Sequence, residues 1–131
     1  MKLQAACVFI VHPVENLILA VTRRDGSGCG LPGGKAEPDE LLQDTALREL
    51  FEETGLIAEN PKLLWSRTDD SSYCETYTVT VTGGTIRDSA EGHVFWATLK
   101  DLIKDSPFGE YNEALFANLP LKAFSKYRMD C

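Results

Sequence analysis

A glycine-rich loop followed by a long helix-forming segment is the feature that most constrains how this chain can fold. Residues 23–35 (RRDGSGCGLPGGK) contain five glycines and one proline, a composition that predicts a loop. Residues 38–54 predict a helix, since Pro38 suits the first helical position and the two acidic residues after it favour the positive end of the helix dipole. Gly55 can provide a left-handed cap. The segment therefore predicts one long helix entered directly from a loop.

The predicted helix has one apolar stripe and one acidic flank. On a helical wheel of about 100° per residue, one arc holds the apolar residues that we expect to face the core: Ala46, Leu47, Leu50 and Phe51. A separate arc holds Glu49, Glu52 and Glu53, whose spacing brings the carboxylates together. Arg48, four residues before Glu52, relieves part of this like-charge crowding. Clustered carboxylates are the ligands that Mg²⁺ or Mn²⁺ requires, although on the helix alone a solvated acidic face is the commoner outcome.

Outside this helix the chain predicts short strands and two further helices. Strand-forming residues occupy five segments: Leu3–Val11, Leu17–Thr22, Lys62–Arg67, Tyr73–Thr82 and Val94–Ala97. The predicted helical segments are a short turn at Leu99–Ile103 and a C-terminal helix at Asn112–Leu119. Strands on both sides of a long helix predict an α+β fold with a mixed sheet, as a single domain over residues 1–131.

Charge and composition narrow the class of protein. The 131 residues include 20 acidic and 13 basic ones, a net charge of −7, which disfavours broad binding to nucleic acid or to membranes. The longest apolar runs, such as Ala5–Val11, are too short to span a bilayer, and the N-terminus has no cleavable signal pattern. The four cysteines have no paired spacing and no nearby histidine, which argues against a zinc site and for reduced thiols. We therefore expect a cytoplasmic protein.

The segment 34–56 (GKAEPDELLQDTALRELFEETGL) resembles the Nudix box, in which glycine, glutamate, Arg-Glu, Glu-Glu, glycine and two aliphatic residues recur at fixed spacing. All nine specified positions match: Gly34, Glu40, Arg48, Glu49, Leu50, Glu52, Glu53, Gly55 and Leu56. With each residue type at about one in twenty, a chance match is on the order of one in 10¹⁰ per start position. The upstream sequence LPGGK is also typical of the family. The resemblance implies a Nudix-type α/β/α sandwich with a mixed β-sheet, an α+β fold that contains the Nudix helix.

The resemblance also implies roles for the residues of the box. Members of the family use water and divalent metal ions to hydrolyse a nucleoside diphosphate linked to another group. The expected metal-binding residues are Gly34, through its carbonyl, Glu49, Glu52 and Glu53. Arg48 matches the family's orienting arginine and can pair with Glu52, whereas Glu40, on the opposite side of the wheel, is expected to be structural or at most a distant metal contact. The expected cofactor is Mg²⁺, with Mn²⁺ as a substitute.

A polyphosphate substrate must overcome the negative charge of this chain. Metal ions neutralise phosphate oxygens and lower the pKa of a bound water, and loop glycines leave backbone N–H groups free to approach phosphate. Arg23, Arg24 and Lys35 flank the loop and are the expected substrate-binding cations, although the two arginines fit a solvated loop end equally well. Cys29 stands where the family often has an aromatic residue, a difference that affects the mouth of the expected substrate site.

Two short features resemble the MutT branch of the family, which cleaves nucleoside triphosphates. Glu91-Gly92 precedes Trp96, and Asn112-Glu113 opens the last predicted helix. The resemblance implies Glu91 as a catalytic base or extra ligand, for which Asp88 and His93 are also available, and Asn112 as the residue that reads the purine. Asn112 is explained equally well as a helix N-cap.

Three functions stay open on the sequence. The first is a MutT-like pyrophosphohydrolase that converts a nucleoside triphosphate to a monophosphate and pyrophosphate. The second is a hydrolase of dinucleoside polyphosphates or nucleotide sugars on the same scaffold. The third is a regulatory module that senses a nucleotide without cleaving it, against which the intact carboxylates argue. The expected partner is a small-molecule nucleotide, and the expected state is a monomer or homodimer.

Overall fold

The computed structural model describes residues 2–90, 92–119, 124 and 127–129. Within them the elements follow in the order β1 (Leu3–Val8), β2 (Ile18–Arg23), β3 (Cys29–Gly30), β4 (Gly33–Lys35), α1 (Leu42–Thr54), β5 (Leu56–Thr68), β6 (Ser72–Gly84), β7 (Gly92–Ala97), α2 (Leu99–Lys104) and α3 (Gly109–Ala117). The long helix and the five predicted strands are therefore present with different ends, whereas β3 and β4 are two short strands within the segment predicted to be a loop.

The strands form two sheets. One has four strands in the order β4-β1-β6-β5, in which β1 runs parallel to β6 and the other neighbours are antiparallel. The other has three antiparallel strands in the order β3-β2-β7. A sheet with both parallel and antiparallel pairs, packed with helices, confirms the predicted α+β sandwich with a mixed β-sheet.

The buried apolar residues form two clusters on opposite sides of β1. In the first, Ala6 and Val8 of β1 pack with Ala46 and Leu50 of α1. In the second, the segment after β1 contributes Phe9 and packs with residues of β2, β7 and α2. Successive side chains of an extended chain point to opposite faces. Strand β1 and the residues directly after it therefore pack against α1 on one side and against the α2–α3 layer on the other.

Helix α1 begins four residues later than predicted. It starts at Leu42 rather than Pro38, because Asp39 has a left-handed backbone (φ 64°) that no α-helix accommodates. The residues before Leu42 form a turn in which Glu40 N–H donates to the Glu37 carbonyl at 3.0 Å. The predicted end is correct: Gly55 has φ 83°, and its N–H donates to the Phe51 carbonyl.

The buried stripe of α1 also differs from the predicted one. Ala46 and Leu50 are fully buried, as expected, but Phe51 is 46% exposed, and its ring lies 5.6 Å from the Arg87 guanidinium. Thr45 and Thr54 are buried instead, and each hydroxyl donates to a backbone carbonyl four residues earlier. The prediction for Phe51 is wrong because local hydrogen bonds let threonine occupy the buried face of a helix.

No helix within the described residues is long and apolar enough to cross a bilayer.

Candidate active site

Two of the three predicted metal-binding glutamates face one large cavity. Glu49 and Glu53 stand one turn apart on α1 and line a cavity of about 830 Å³. Glu52 does not line it, and its side chain is 46% exposed against 13% for Glu49. Residues four apart share a helix face and residues three apart diverge from it slightly. The structure thus brings Glu49 and Glu53 together and leaves Glu52 on the outer flank.

Arg48 organises the carboxylates around this face. Its Nε and Nη2 donate to the two Glu40 carboxylate oxygens at 2.8 and 2.9 Å, a bidentate pair. Its Nη1 donates to Glu49 at 3.0 Å and lies 3.2 Å from Glu52 Oε2, the pair that the sequence predicts. The Arg48 hydrogen bond lowers the pKa of Glu40 to about 2. Glu40 is therefore a structural partner of Arg48, and Arg48 holds Glu49 in position.

The glycine-rich loop packs directly against the two cavity carboxylates. The backbone N–H of Gly33 donates to Glu53 Oε1 at 2.7 Å. A Cβ on Gly34 would lie 2.6 Å from Glu49 Cδ, and one on Gly33 would lie 2.3 Å from the Ala6 carbonyl oxygen. Gly33 therefore allows β4 to approach β1 closely, and a side chain at Gly34 would displace the Glu49 carboxylate.

The oxygen-rich face fits a hard divalent cation. In the described part of the chain, no three histidine, cysteine or acidic side chains group closely enough to hold a metal ion by themselves. Mg²⁺ does not need such a cage, because it keeps several waters and commonly takes one or two carboxylates together with substrate phosphates. Glu49, Glu53 and the backbone of Gly34, which closes on Glu49, provide a donor set of this chemistry.

The three predicted cations all line the same cavity. Arg24 is fixed, because its Nε and Nη2 donate to the Ser89 carbonyl at 3.2 and 2.8 Å. Arg23 lies 3.6 Å from Asp25, and its guanidinium lies 5.8 Å from the centre of the Phe108 ring. The contacts of the two loop arginines therefore hold them at the cavity.

Asn112 lines the cavity too but is not a helix cap. Helix α3 begins three residues earlier, at Gly109, and Phe108 occupies the N-cap position, so the predicted capping role is wrong. Asn112 is 2% exposed, and its Nδ2 donates to the Leu102 carbonyl at 2.8 Å. Its amide therefore links α3 to α2 at the wall of the cavity.

Asp88 and His93, two of the three residues available as an additional base or ligand, do not line the cavity. Glu91 lies outside the described residues. Asp88 and His93 bind each other, with His93 Nδ1 2.7 Å from Asp88 Oδ2, and neither lines the cavity. The His93 hydrogen bond lowers the pKa of Asp88. These two residues therefore form an exposed pair, in which His93 of β7 binds Asp88 of the preceding segment.

The aromatic wall of the cavity was not predicted from the sequence. Cys29, which replaces the family's frequent aromatic residue, is buried under the loop. Phe108, from the segment before α3, lines the cavity with 48% of its surface exposed, and a Cβ on Gly30 would lie 3.1 Å from its ring. Tyr111 of α3 lines the cavity beside it. Phe108 lies four residues before Asn112, and this spacing was the only signal for it in the sequence.

Comparison with known proteins shows the family. A model of the NUDIX domain matches residues 1–119, and the chain belongs to this family. Nudix hydrolases generally depend on a divalent metal. The Bacillus subtilis (strain 168) protein named "Putative 8-oxo-dGTP diphosphatase" is 38% identical over 58 residues, which are 44% of this chain and 38% of that protein. The chain thus aligns with well under two thirds of the length of this curated relative.

Solved structures with low sequence identity share the fold. An ADP-ribose pyrophosphatase from Streptococcus suis 89-1591 superposes with a TM-score of 0.72 at 23% identity, covering 88% of each chain. A MutT structure, from a study of the Aliivibrio salmonicida and Vibrio cholerae proteins, also gives 0.72 at 20% identity, covering 91% of this chain and 100% of that one. Since proteins that act on different substrates share this fold, the fold alone does not show which substrate a member uses.

Proposed function

We propose that this protein is a Mg²⁺-dependent pyrophosphohydrolase that converts a nucleoside triphosphate to a monophosphate and pyrophosphate. One observation carries the proposal: Glu49 and Glu53 face a cavity that is also lined by Arg23, Arg24, Lys35 and Asn112. Carboxylates for a metal, cations for phosphates and an amide for a base thus share one space. The name of the Bacillus subtilis relative supports a nucleoside triphosphate among the possible substrates.

The residues at the carboxylate end would hold the metal. Glu49, Glu53 and the Gly34 carbonyl are the proposed ligands, with Glu52 joining them from the outer flank and Mn²⁺ as a substitute metal. When bound, the metal neutralises phosphate oxygens and lowers the pKa of a water. Arg48 keeps the Glu49 carboxylate oriented through its 3.0 Å hydrogen bond. A carboxylate of this group, or Glu91, accepts the proton of the attacking water.

The loop cations would bind the polyphosphate. Lys35 follows Gly34 directly and lines the cavity, and its backbone carbonyl accepts a hydrogen bond from Arg48 at 3.2 Å. Arg23 and Arg24 stand at the opposite end of the loop. This placement puts three cations in the cavity of an overall acidic chain, where they would offset part of the repulsion of a polyanion.

The nucleoside would lie against the α3 side of the cavity. The exposed ring of Phe108 offers a stacking surface for a base. The Asn112 amide has one acceptor and two donors, and one donor is already bonded to Leu102. Since Nδ2 also lies 3.5 Å from Ser106 Oγ, the amide oxygen is the group that would accept a hydrogen bond from a base edge.

Product analysis tests the proposal. The purified protein is incubated with Mg²⁺ and a panel of nucleoside triphosphates, one dinucleoside polyphosphate and one nucleotide sugar, in ¹⁸O-labelled water. The proposal expects a labelled monophosphate or pyrophosphate from a triphosphate and no nucleoside diphosphate. Release of inorganic phosphate with a nucleoside diphosphate contradicts it, and faster cleavage of the other two substrates favours the second function.

A further inference from the structure

Two cysteines meet on the floor of the cavity. Strands β1 and β6 are parallel, with Ala5 opposite Cys74 and Cys7 opposite Thr76. Cys7 and Cys74 are therefore diagonal neighbours on one face of the sheet, because side chains two residues apart on a strand point the same way. Both cysteines line the cavity, and neither is in a disulfide.

The surroundings of the two thiols are polar and interconnected. Cys7 Sγ lies 3.2 Å from Thr76 Oγ1, which lies 2.5 Å from the Tyr111 hydroxyl. Thr76 is fully buried. The neighbouring Cys7 thiol lowers the pKa of Cys74, whereas Cys74 and burial raise the pKa of Cys7. One member of the pair is thus biased towards the thiolate, the reactive form of cysteine.

We propose that Cys7 and Cys74 form an oxidisable dithiol on the cavity floor, which a hydroperoxide converts to a disulfide. With hydrogen peroxide as the oxidant, the thiolate of Cys74 attacks one peroxide oxygen, the O–O bond breaks, and a sulfenic acid and hydroxide are formed. The hydroxide takes up the proton that the Cys74 thiol released and becomes water. The sulfur of Cys7 then attacks the sulfenic sulfur, the S–S bond forms, and hydroxide leaves as a second water with the proton of Cys7. The two thiols supply the two electrons that reduce the peroxide.

The disulfide would act on the carboxylate loop through Cys7. A Cβ on Gly33 would lie 2.6 Å from Cys7 Cβ, so β4 rests directly on this residue. The Gly33 N–H in turn holds Glu53 at 2.7 Å. Because the interior is close-packed, drawing Cys7 towards Cys74 displaces the strand that positions Glu53. This step of the inference rests on the proposed hydrolase function, whereas disulfide formation does not.

Mass spectrometry of the intact, oxidised protein tests the site. The reduced protein is treated with hydrogen peroxide, quenched by alkylation and digested. The proposal expects the intact protein to lose the mass of two hydrogen atoms. The digest should contain one cross-linked peptide pair, which joins Cys7 to Cys74. Cys29→Ser is the matched control, because Cys29 is buried in the second core cluster and does not line the cavity. That variant should form the same cross-link, and Cys7→Ser and Cys74→Ser should not.

Two results overturn the proposal. One is the gain of oxygen atoms at Cys74 without a cross-link, and the other is a cross-link that joins Cys29 or Cys131 instead. In the activity arm, the oxidised protein should lose nucleotide hydrolysis and regain it with dithiothreitol, while the Cys74→Ser protein should be insensitive to peroxide. Cross-linked protein with undiminished hydrolysis refutes the effect on Glu53. A protein that forms the cross-link but hydrolyses nothing before oxidation refutes the proposed function and leaves the dithiol established.

Discussion

The carboxylate of Glu53 accepts a hydrogen bond from the backbone N–H of Gly33 at 2.7 Å. This bond joins the last turn of α1 to β4, and the contact between Gly34 and Glu49 joins them a second time one turn earlier. The glycine-rich loop and the carboxylate helix therefore behave as one structural unit. A substitution in the loop should therefore displace the carboxylates of Glu49 and Glu53 first.

Gly34→Ala tests this coupling. The new methyl group would lie 2.6 Å from Glu49 Cδ and must displace the carboxylate. Since misplacement of a reacting group by about 1 Å can lower a rate by on the order of 10²-fold, we expect a loss of this size in kcat/KM. Gly83→Ala is the control, because its Cβ would meet only Ile57 at 3.9 Å. Equal kcat/KM values for the two variants would show that the contact does not matter.

Glu40→Gln tests the anchoring of Arg48 through pH. The Arg48 hydrogen bond lowers the folded-state pKa of Glu40 to about 2 from its usual 4.5. A lowered folded-state pKa gives stability that is present above the unfolded-state value and is lost as pH falls through the folded one. The wild type should therefore be more stable than the variant above pH 4.5, and the difference should shrink as pH falls towards 2.

Urea unfolding at a series of pH values measures this difference. Glu113→Gln, at an exposed position of α3, is the control and should follow the wild-type curve. A constant gap between wild type and Glu40→Gln over the whole range would exclude the ion pair as its cause.

The features that the sequence predicted correctly are local ones. Gly55 ends α1 as predicted because a left-handed cap depends on a single residue. The predicted start of α1 was wrong. Glu40 lies before the helix, where it pairs with Arg48, eight residues further along the chain. Local propensity favoured a helix there, and a tertiary ion pair overrode it.

The wall and floor of the cavity depend on contacts that the sequence does not encode locally. Cys7 and Cys74 meet only because β1 and β6 pair in parallel, which joins segments far apart in the chain. Phe108, at the N-cap of α3, approaches Gly30 of β3, which lies far earlier in the chain. By contrast, the box residues were predictable from one segment, and the role of Glu91 stays a prediction.

Asn112→Ala tests base recognition. Loss of the amide should lower the ratio of kcat/KM for the preferred base to kcat/KM for the other bases. The expected change in this ratio corresponds to about 1–3 kcal/mol, since polar groups built to pair with a substrate discriminate strongly. It should also lower the melting temperature, because the buried Leu102 carbonyl loses its donor. Asn118→Ala is the control: its Nδ2 also donates to a helix carbonyl, at 2.7 Å, but the residue does not line the cavity. A lower melting temperature with an unchanged ratio would leave Asn112 a purely structural link between helices.

The turnover of Glu53→Gln with a nucleoside triphosphate and Mg²⁺ tests the central claim most directly. The amide keeps the shape of the side chain and can still accept the Gly33 hydrogen bond, but it removes the negative charge. The account predicts a folded protein whose kcat falls by roughly 10²-fold or more, whereas Asp44→Asn, at an exposed position of the same helix, keeps wild-type turnover. EDTA should abolish the wild-type activity. Near-wild-type turnover of Glu53→Gln, or full wild-type activity in EDTA, would contradict the account.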